Sequence, residues 1–468
     1  MLRRWNAVMV AVVVIGCGGG RKDEAKGTPT GKVSDAGSSG LPMPALGVEA
    51  PKMLNYPYGS GANDYQRAVA AYKAKPRDWT GVRSACEATL AKDKDHLDAH
   101  RLLASALAQA GDFAGATQQL TIALAADWLR WGPALASDPE LAAYLASPEG
   151  KALLALSDQM KQAVLQKSAS GLVVLGRRST FKRPSKPGDQ PAFSRGELYA
   201  LDLDSKRYIR LTHTDHQAVA FLRSPDGSEV AVIGYDKVNI PAPAEADEVA
   251  PLLVRSWIQT FDASWQPNGK RAIIGKGRAV AVHYGAGGQL LATVYAPKHR
   301  WQLGDATTFS VDRATGKVAK TRTPAEIGPR AMMTFDDTIV EEPVAGVEAD
   351  WGEDPVTATS FRITASGKTI TVPDSAAATR ATLAISPGGT RVAFATWADP
   401  CMKEKGAPSL YTVDVATGQP KHLLTADSRF GSRWLDESRL VYEDDTGNLR
   451  IYDAAAGRET LRIADRGG

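Results

Sequence analysis

AFLRSPDGSEVAVIGYD (residues 220–236) and ATLAISPGGTRVAFATW (residues 381–397) follow one pattern. Each opens with a short apolar strand, turns, and returns as a second apolar strand. The turns are Ser224-Pro225-Asp226-Gly227 and Ser386-Pro387-Gly388-Gly389. Proline presets φ at the first turn position and glycine supplies the positive φ that a tight hairpin needs. SRWLDESRLVYED (432–444) is a shortened version. A second unit accompanies the first, in GELYALDLDSKRYIRLT (196–212), TTFSVDRATGKVAKTR (307–322), PSLYTVDVATGQPKHLL (408–424) and GNLRIYDAAAGRETLRI (447–463). Each is a strand ending in Asp202, Asp312, Asp414 or Asp453, then a small turn and a second strand. The two units together make four antiparallel strands per roughly 40 residues.

That module resembles the TolB-like, WD-related β-propeller repeats, over residues 171–465. The resemblance implies a ring of about six four-stranded blades. It is strong near residues 216, 381 and 428. It is weak between Lys237 and Ala272 and between Met332 and Thr379. HYGAGGQLLATVY (283–295) and FRITASGKTITV (361–372) read as weaker hairpins. The first module is expected to lack its inner strand and the last to be complete. Two long loops interrupt the blades, a basic one at 177–196 and an acidic one at 236–251. Their opposite charges mark either a binding face or ordinary solvated surface.

Upstream the texture is helical. HLDAHRLLASALAQAGDFAGATQQLTIALAAD (96–127) places apolar residues at helical spacing, with Gly111-Asp112 breaking the run. It resembles the tetratricopeptide repeat. Leu103, Ala104, Leu107, Gly111, Phe113, Ala116, Leu120 and Ala123 fall on that repeat's positions, while His100 and Trp128 depart from it. One repeat earlier Trp79, Val82, Cys86 and Leu90 match a second helix, but Lys73 stands where an apolar residue belongs. LASDPELAAYLASPEGKALLAL (135–156) reads as a closing unit with Pro139 and Pro148 at helix starts. Residues 61–167 are therefore expected to form tetratricopeptide-like hairpins. A plain helical bundle is the alternative, since stacked repeats usually need three or more units.

The N-terminus is a third kind of text. Arg3 and Arg4 precede an apolar run from Ala7 to Ile15, which ends in Val14-Ile15-Gly16-Cys17. This resembles a bacterial lipoprotein signal with its lipobox. It implies a signal at 1–16, lipid attachment at Cys17, and a flexible Gly/Ser-rich linker over 17–60. An ordinary secretory signal and an uncleaved anchor are the competing readings. Gly18, where an Asp would favour inner-membrane retention, implies the outer membrane. Hydrophobic residues make up 43% and charged residues 23%, as in ordinary globular proteins. The formal charge of +4 falls to +2 without the signal, too little for a nucleic-acid surface. The fold class expected is multidomain, helical first and all-β second. The boundary near residue 170 is expected to separate regions that fold independently.

Chemistry is thin. Cys86 and Cys401 are the only remaining cysteine pair, and both are expected to be free. His213 and His216 flank Asp215 at a spacing that can serve one metal ion, but no third ligand is visible. SGKT (366–369) lacks the leading glycine of a phosphate loop, since Arg362 stands there, and reads as a hairpin turn. GKGRAV (275–280) lacks the third glycine of a dinucleotide fingerprint. The pairs Asp336-Asp337, Glu341-Glu342 and Asp444-Asp445 point to opposite faces if on strands. Trp257, Trp265, Trp301, Trp351, Trp397 and Trp434 are expected chiefly as wedges between blades. No catalytic motif is present and no cofactor is expected. The leading expectation is a scaffold that binds an envelope protein and meets the membrane through Cys17. The alternative is a propeller funnel that holds a glycan or small molecule, with hydrolase or lyase activity as one form of it.

Overall fold

The structure is a computed structural model. It describes residues 40–54, 60–179, 195–239, 253–275, 279–299, 302–324, 330–334, 347–350, 357–358, 360–363, 367–371, 377–379, 384–397, 409–425, 432–443 and 448–463. The signal, Cys17, the tether to residue 39, Cys401 and most of both charged loops lie outside them.

Among the described residues seven α-helices come first: α1 (Ala62–Lys73), α2 (Trp79–Lys92), α3 (Leu97–Gln109), α4 (Phe113–Ala126), α5 (Trp128–Leu135), α6 (Ala142–Ala146) and α7 (Pro148–Ser170). A 3-10 turn at Pro139–Leu141 leads into α6. α1 with α2, and α3 with α4, pack as helical hairpins. Asp78 and Asp112, 34 residues apart, cap α2 and α4 by accepting from the N–H of Gly81 at 2.8 Å and Gly115 at 2.9 Å. Gly111, at φ +79°, turns α3 into α4. Ser147 caps α7, with Pro148 in its first turn. Val82, Cys86, Leu103, Leu107, Ala116 and Leu120 fill the space between the hairpins. None of these helices is long and apolar enough to cross a membrane.

Among the described residues five antiparallel sheets follow in chain order, and they divide into six blades of a β-propeller, the first two joined in one sheet by a single pair, Gly196↔Ala218. The first blade holds β1 (Leu172–Ser179), β2 (Arg195–Asp202) and β3 (Arg207–Arg210). The second holds β4 (Ala218–Arg223), β5 (Glu229–Asn239), β6 (Leu253–Asp262) and β7 (Ala272–Gly275). The third holds β8 (Ala279–Tyr284), β9 (Leu290–His299), β10 (Gln302–Val311) and β11 (Val318–Thr321), with β12 (Arg330–Thr334) on the other side of β8. Then come β13 (Val347–Asp350), β14 (Thr357–Ala358), β15 (Ser360–Ile363) and β16 (Lys368–Thr371). Of these, β13, β15 and β16 make the fourth blade, and β14 pairs with β17 (Ala377–Thr379), which pairs in turn with β19 of the fifth, described next. The fifth blade is β18 (Ala384–Ile385), β19 (Arg391–Trp397), β20 (Ser409–Asp414) and β21 (Pro420–Thr425). The sixth is β22 (Ser432–Trp434), β23 (Arg439–Glu443), β24 (Leu449–Asp453) and β25 (Arg458–Ile463).

The repeated sequence units make repeated turns. Ser224 N–H donates to Glu229 O at 2.8 Å, and Ser386 N–H to Arg391 O at 2.9 Å. Each serine Oγ accepts the return N–H at 3.0 Å, and Gly227 and Gly389 share φ +72°. In the second unit Asp312, Asp414 and Asp453 each accept from the N–H groups two and three residues on. Gly316, Gly418 and Gly457 close those turns at positive φ.

Among the described residues the first blade has three strands. β1 pairs with β2 from Leu172↔Leu201 to Ser179↔Arg195, in the place that β5 and β19 take in their blades, and the inner strand that β4 and β18 supply there has no counterpart, as the sequence leads one to expect. Two observations revise the sequence reading. The linker does not extend to residue 60. Residues 40–54 pack, with Leu46, Val48 and Leu54 buried, and Val48 bridges Tyr208 of β3. The helices and blades also share a core. Leu153, Leu156, Met160 and Val164 of α7 join Val173, Leu198, Ala200 and Ile209 in one apolar cluster. A second cluster joins Val48, Leu54 and Leu97 to Leu172, Val174 and Tyr208, and to Val441, Leu449 and Ile451. The first and last blades therefore close on each other by apolar packing.

Candidate functional site

α3 carries a polar stripe on an otherwise buried helix. Arg101, Ser105 and Gln109 recur every four residues and so share one face. Tyr72 of α1 and Arg77 beside it extend that surface. The face holds the chain's own residues 138–140. Glu140 accepts from Tyr72 Oη and Arg77 Nη1, both at 2.6 Å, and its backbone carbonyl accepts from Gln109 Nε2 at 2.7 Å. Arg101 Nη2 pairs with Asp138 while its Nη1 donates to Ser105 Oγ at 2.6 Å. The Arg77 guanidinium stacks on the Tyr72 ring, 4.5 Å from its centroid. The hydrogen bond to Glu140, aided by burial, pushes the Tyr72 phenol above its ordinary value. Four donor side chains from two hairpins thus converge on two carboxylates and one carbonyl.

A second polar cluster sits where the helices meet the first blade. Glu197 of β2 is fully buried. It accepts from Thr212 Oγ1 at 2.6 Å, Thr214 N at 2.7 Å, His216 N at 2.8 Å, Thr214 Oγ1 at 3.0 Å and Arg210 Nη2 at 3.1 Å. Arg210 also faces Asp127, which lies between α4 and α5, at 3.8 Å. His213 Nε2 lies 3.0 Å from both Asp127 oxygens. Burial raises the Asp127 carboxyl's pKa, but His213 and Arg210 outweigh it and hold the group below its ordinary range. The cluster links helices to blade through a satisfied set of charges.

Of the His213–His216 pair, the His213 ring turns to Asp127 and the His216 backbone N–H donates to Glu197. Among the described residues no group of three or more His, Cys, Asp or Glu is placed to hold a metal. Cys86 is a free, buried thiol that burial pushes up to about 12. Gly367, at φ +67°, turns β15 into β16, as the SGKT reading expects. Gly275 ends β7 and Ala279 begins β8. Trp257, Trp265 and Trp434 are buried, and Trp434 Nε1 reaches from the sixth blade to Ala384 O of the fifth at 3.2 Å. Trp397 lies on β19. Trp301, Trp351 and the acidic pairs at 336–337, 341–342 and 444–445 lie outside the described residues. Sequence reasoning missed Arg101, Gln109, Asp138 and Glu140. The four-residue spacing of the α3 stripe was a usable signal, but the segment that it meets lies some thirty residues on.

No family model matches the chain, and no curated protein does. Among solved structures it is similar to TolB from Acinetobacter baumannii, at 16% identity and a TM-score of 0.30, over 69% of this chain and 72% of that one. It is similar to the tricorn protease at 14% identity and a TM-score of 0.32, over 64% of this chain but 26% of that one. The acylaminoacyl peptidase of Pyrococcus horikoshii matches at 14% identity and a TM-score of 0.30, over 57% and 41%. The blade architecture stands on the strand pairing described above.

Proposed function

We propose that the chain is a lipid-anchored envelope protein that binds other proteins, with the α1–α3 face as its docking surface and the propeller as a rigid support. One observation carries this reading. The face holds a short 3-10 turn and its N-cap, residues 138–140, through side-chain donors aimed at two carboxylates and a backbone carbonyl, which is how a groove holds a segment of polypeptide. The 34-residue spacing of the Asp78 and Asp112 caps supports the tetratricopeptide reading of these hairpins. The lipobox at Val14–Cys17 supports the anchor, the outer membrane being the expected site.

Crosslinking in intact cells tests it. With Arg77→Glu/Arg101→Glu, proteins captured by the parent should be lost while labelled fatty acid is still incorporated. Cys17→Ser should block that incorporation and release the protein from membranes. An unchanged set of captured proteins in the arginine variant would remove the docking face, and undiminished membrane binding of Cys17→Ser would remove the anchor.

A further inference from the structure

We propose that residues 138–140 are an internal stand-in for the partner, and that the α1–α3 face accepts in their place an acidic Asp-x-Glu segment that adopts the same Asp-capped turn. This rests on the docking reading above and adds the partner's chemistry and its regulation.

The geometry points to this occupant. Four side chains of the face each meet an acceptor from 138–140: Tyr72 and Arg77 on Glu140, Arg101 on Asp138, Gln109 on the Glu140 carbonyl. A basic segment would set cation against Arg77 and Arg101, and an apolar one would strand their charges. A second Asp-x-Glu segment would reproduce each contact.

The internal contacts are also of a kind that can be exchanged. The Arg77–Glu140 pair is 45% and 16% exposed and the Arg101–Asp138 pair 14% and 22%. Releasing such shielded pairs costs more than releasing surface ones, and an incoming Asp-x-Glu segment that remakes each contact offsets that cost. Leu141, fully buried next to them, keeps the segment attached to the helical core. Asp138 and Glu140 can therefore leave the face while α6 stays docked, and they return when the partner departs. Competition of this kind lowers the apparent affinity by the fraction of time that the face is open.

The test uses the whole chain and a fluorescein-labelled peptide, Ala-Ser-Asp-Pro-Glu-Leu-Ala, copying residues 136–142. A control peptide carries Asn and Gln for Asp and Glu. Fluorescence anisotropy should show at least tenfold tighter binding of the acidic peptide to Asp138→Asn/Glu140→Gln than to the parent. Adding Arg77→Ala and Arg101→Ala should abolish it, and the neutral peptide should bind neither form. Equal binding to the parent and the opened variant, equal binding of both peptides, or no binding by an opened variant with parental circular dichroism would overturn the proposal. Should that variant misfold, hydrogen exchange on the parent decides: excess acidic peptide must raise exchange at 138–140, and unchanged exchange rejects the exchange mechanism. If no peptide binds yet Arg77→Glu/Arg101→Glu still loses its partners in cells, the face docks another chemistry and this inference alone fails.

Discussion

Glu197 shows how much one buried carboxylate can hold. It accepts five hydrogen bonds and balances Arg210 in a fully buried site. Glu197→Gln keeps the shape but turns an amide toward donors and leaves Arg210 short of charge. We expect a loss of about 3–5 kcal/mol, read from the urea midpoint. Asp127 gives a pH signature. Its folded pKa lies below the unfolded value, so its contribution is present above the unfolded value and is lost as pH falls through the folded one. Asp127→Asn should therefore be destabilising above about pH 5, with its deficit to the parent shrinking below about pH 4. A deficit that is constant with pH would mean that the carboxylate's charge is not what matters. These partners were not legible in the sequence. His213 and His216 looked like a local pair, but the groups they meet lie on α4–α5 and β2, which only folding brings near.

At the scale of elements, the segment at 40–54 decides more than its composition suggests. Arg207 donates from Nε to Leu46 O at 3.0 Å and from Nη2 to Gly47 O at 2.5 Å, and Gly47 N–H donates to Ala125 O at 2.7 Å. The strap thus bonds the first blade and α4 at once. Leu46→Ala should cost about 2 kcal/mol or more, because the apolar burial lost leaves a cavity between two elements. Amides of Val48 and Tyr208, which bond each other's carbonyls at 2.8 and 2.7 Å, should exchange faster in that variant. Unchanged exchange there would show that the strap does not hold the blade. The hairpins, by contrast, were readable one by one. Ser-Pro-x-Gly and the strand-ending Asp carry their own turn chemistry, so Gly227, Gly389, Gly418 and Gly457 sit where the local pattern places them. The strap was misread because a single bridge on a strand edge leaves no periodicity.

For the whole molecule, the apolar cluster shared by helices and blade predicts coupled rather than independent unfolding. α7 packs on β2 and β3 as well as on α4, α5 and α6, and its Leu153, Leu156, Met160 and Val164 share one apolar cluster with Leu198, Ala200 and Ile209; each side chain so buried is worth about 1.5–3 kcal/mol. Far-ultraviolet circular dichroism and tryptophan fluorescence should therefore report one coincident unfolding transition. A fragment of residues 171–468 should unfold at lower denaturant than the full chain and bind a hydrophobic dye. Two separated transitions, or a fragment as stable as the whole, would restore the independent-domain picture.

The sequence by itself determined what is local. Helical and strand periodicity, capping residues and turn residues act within a few positions, so the change of texture near residue 170, the helical hairpins and the blade repeats were all written in the chain. Only the tertiary structure decided what depends on distant approach: the closure of the first blade on the last, the packing of 40–54, the burial of Glu197 beside Arg210, and the docking of residues 138–140 on α1 and α3. Those contacts join positions tens to hundreds of residues apart. Their energy comes from surfaces and charges that exist together only once the chain has folded.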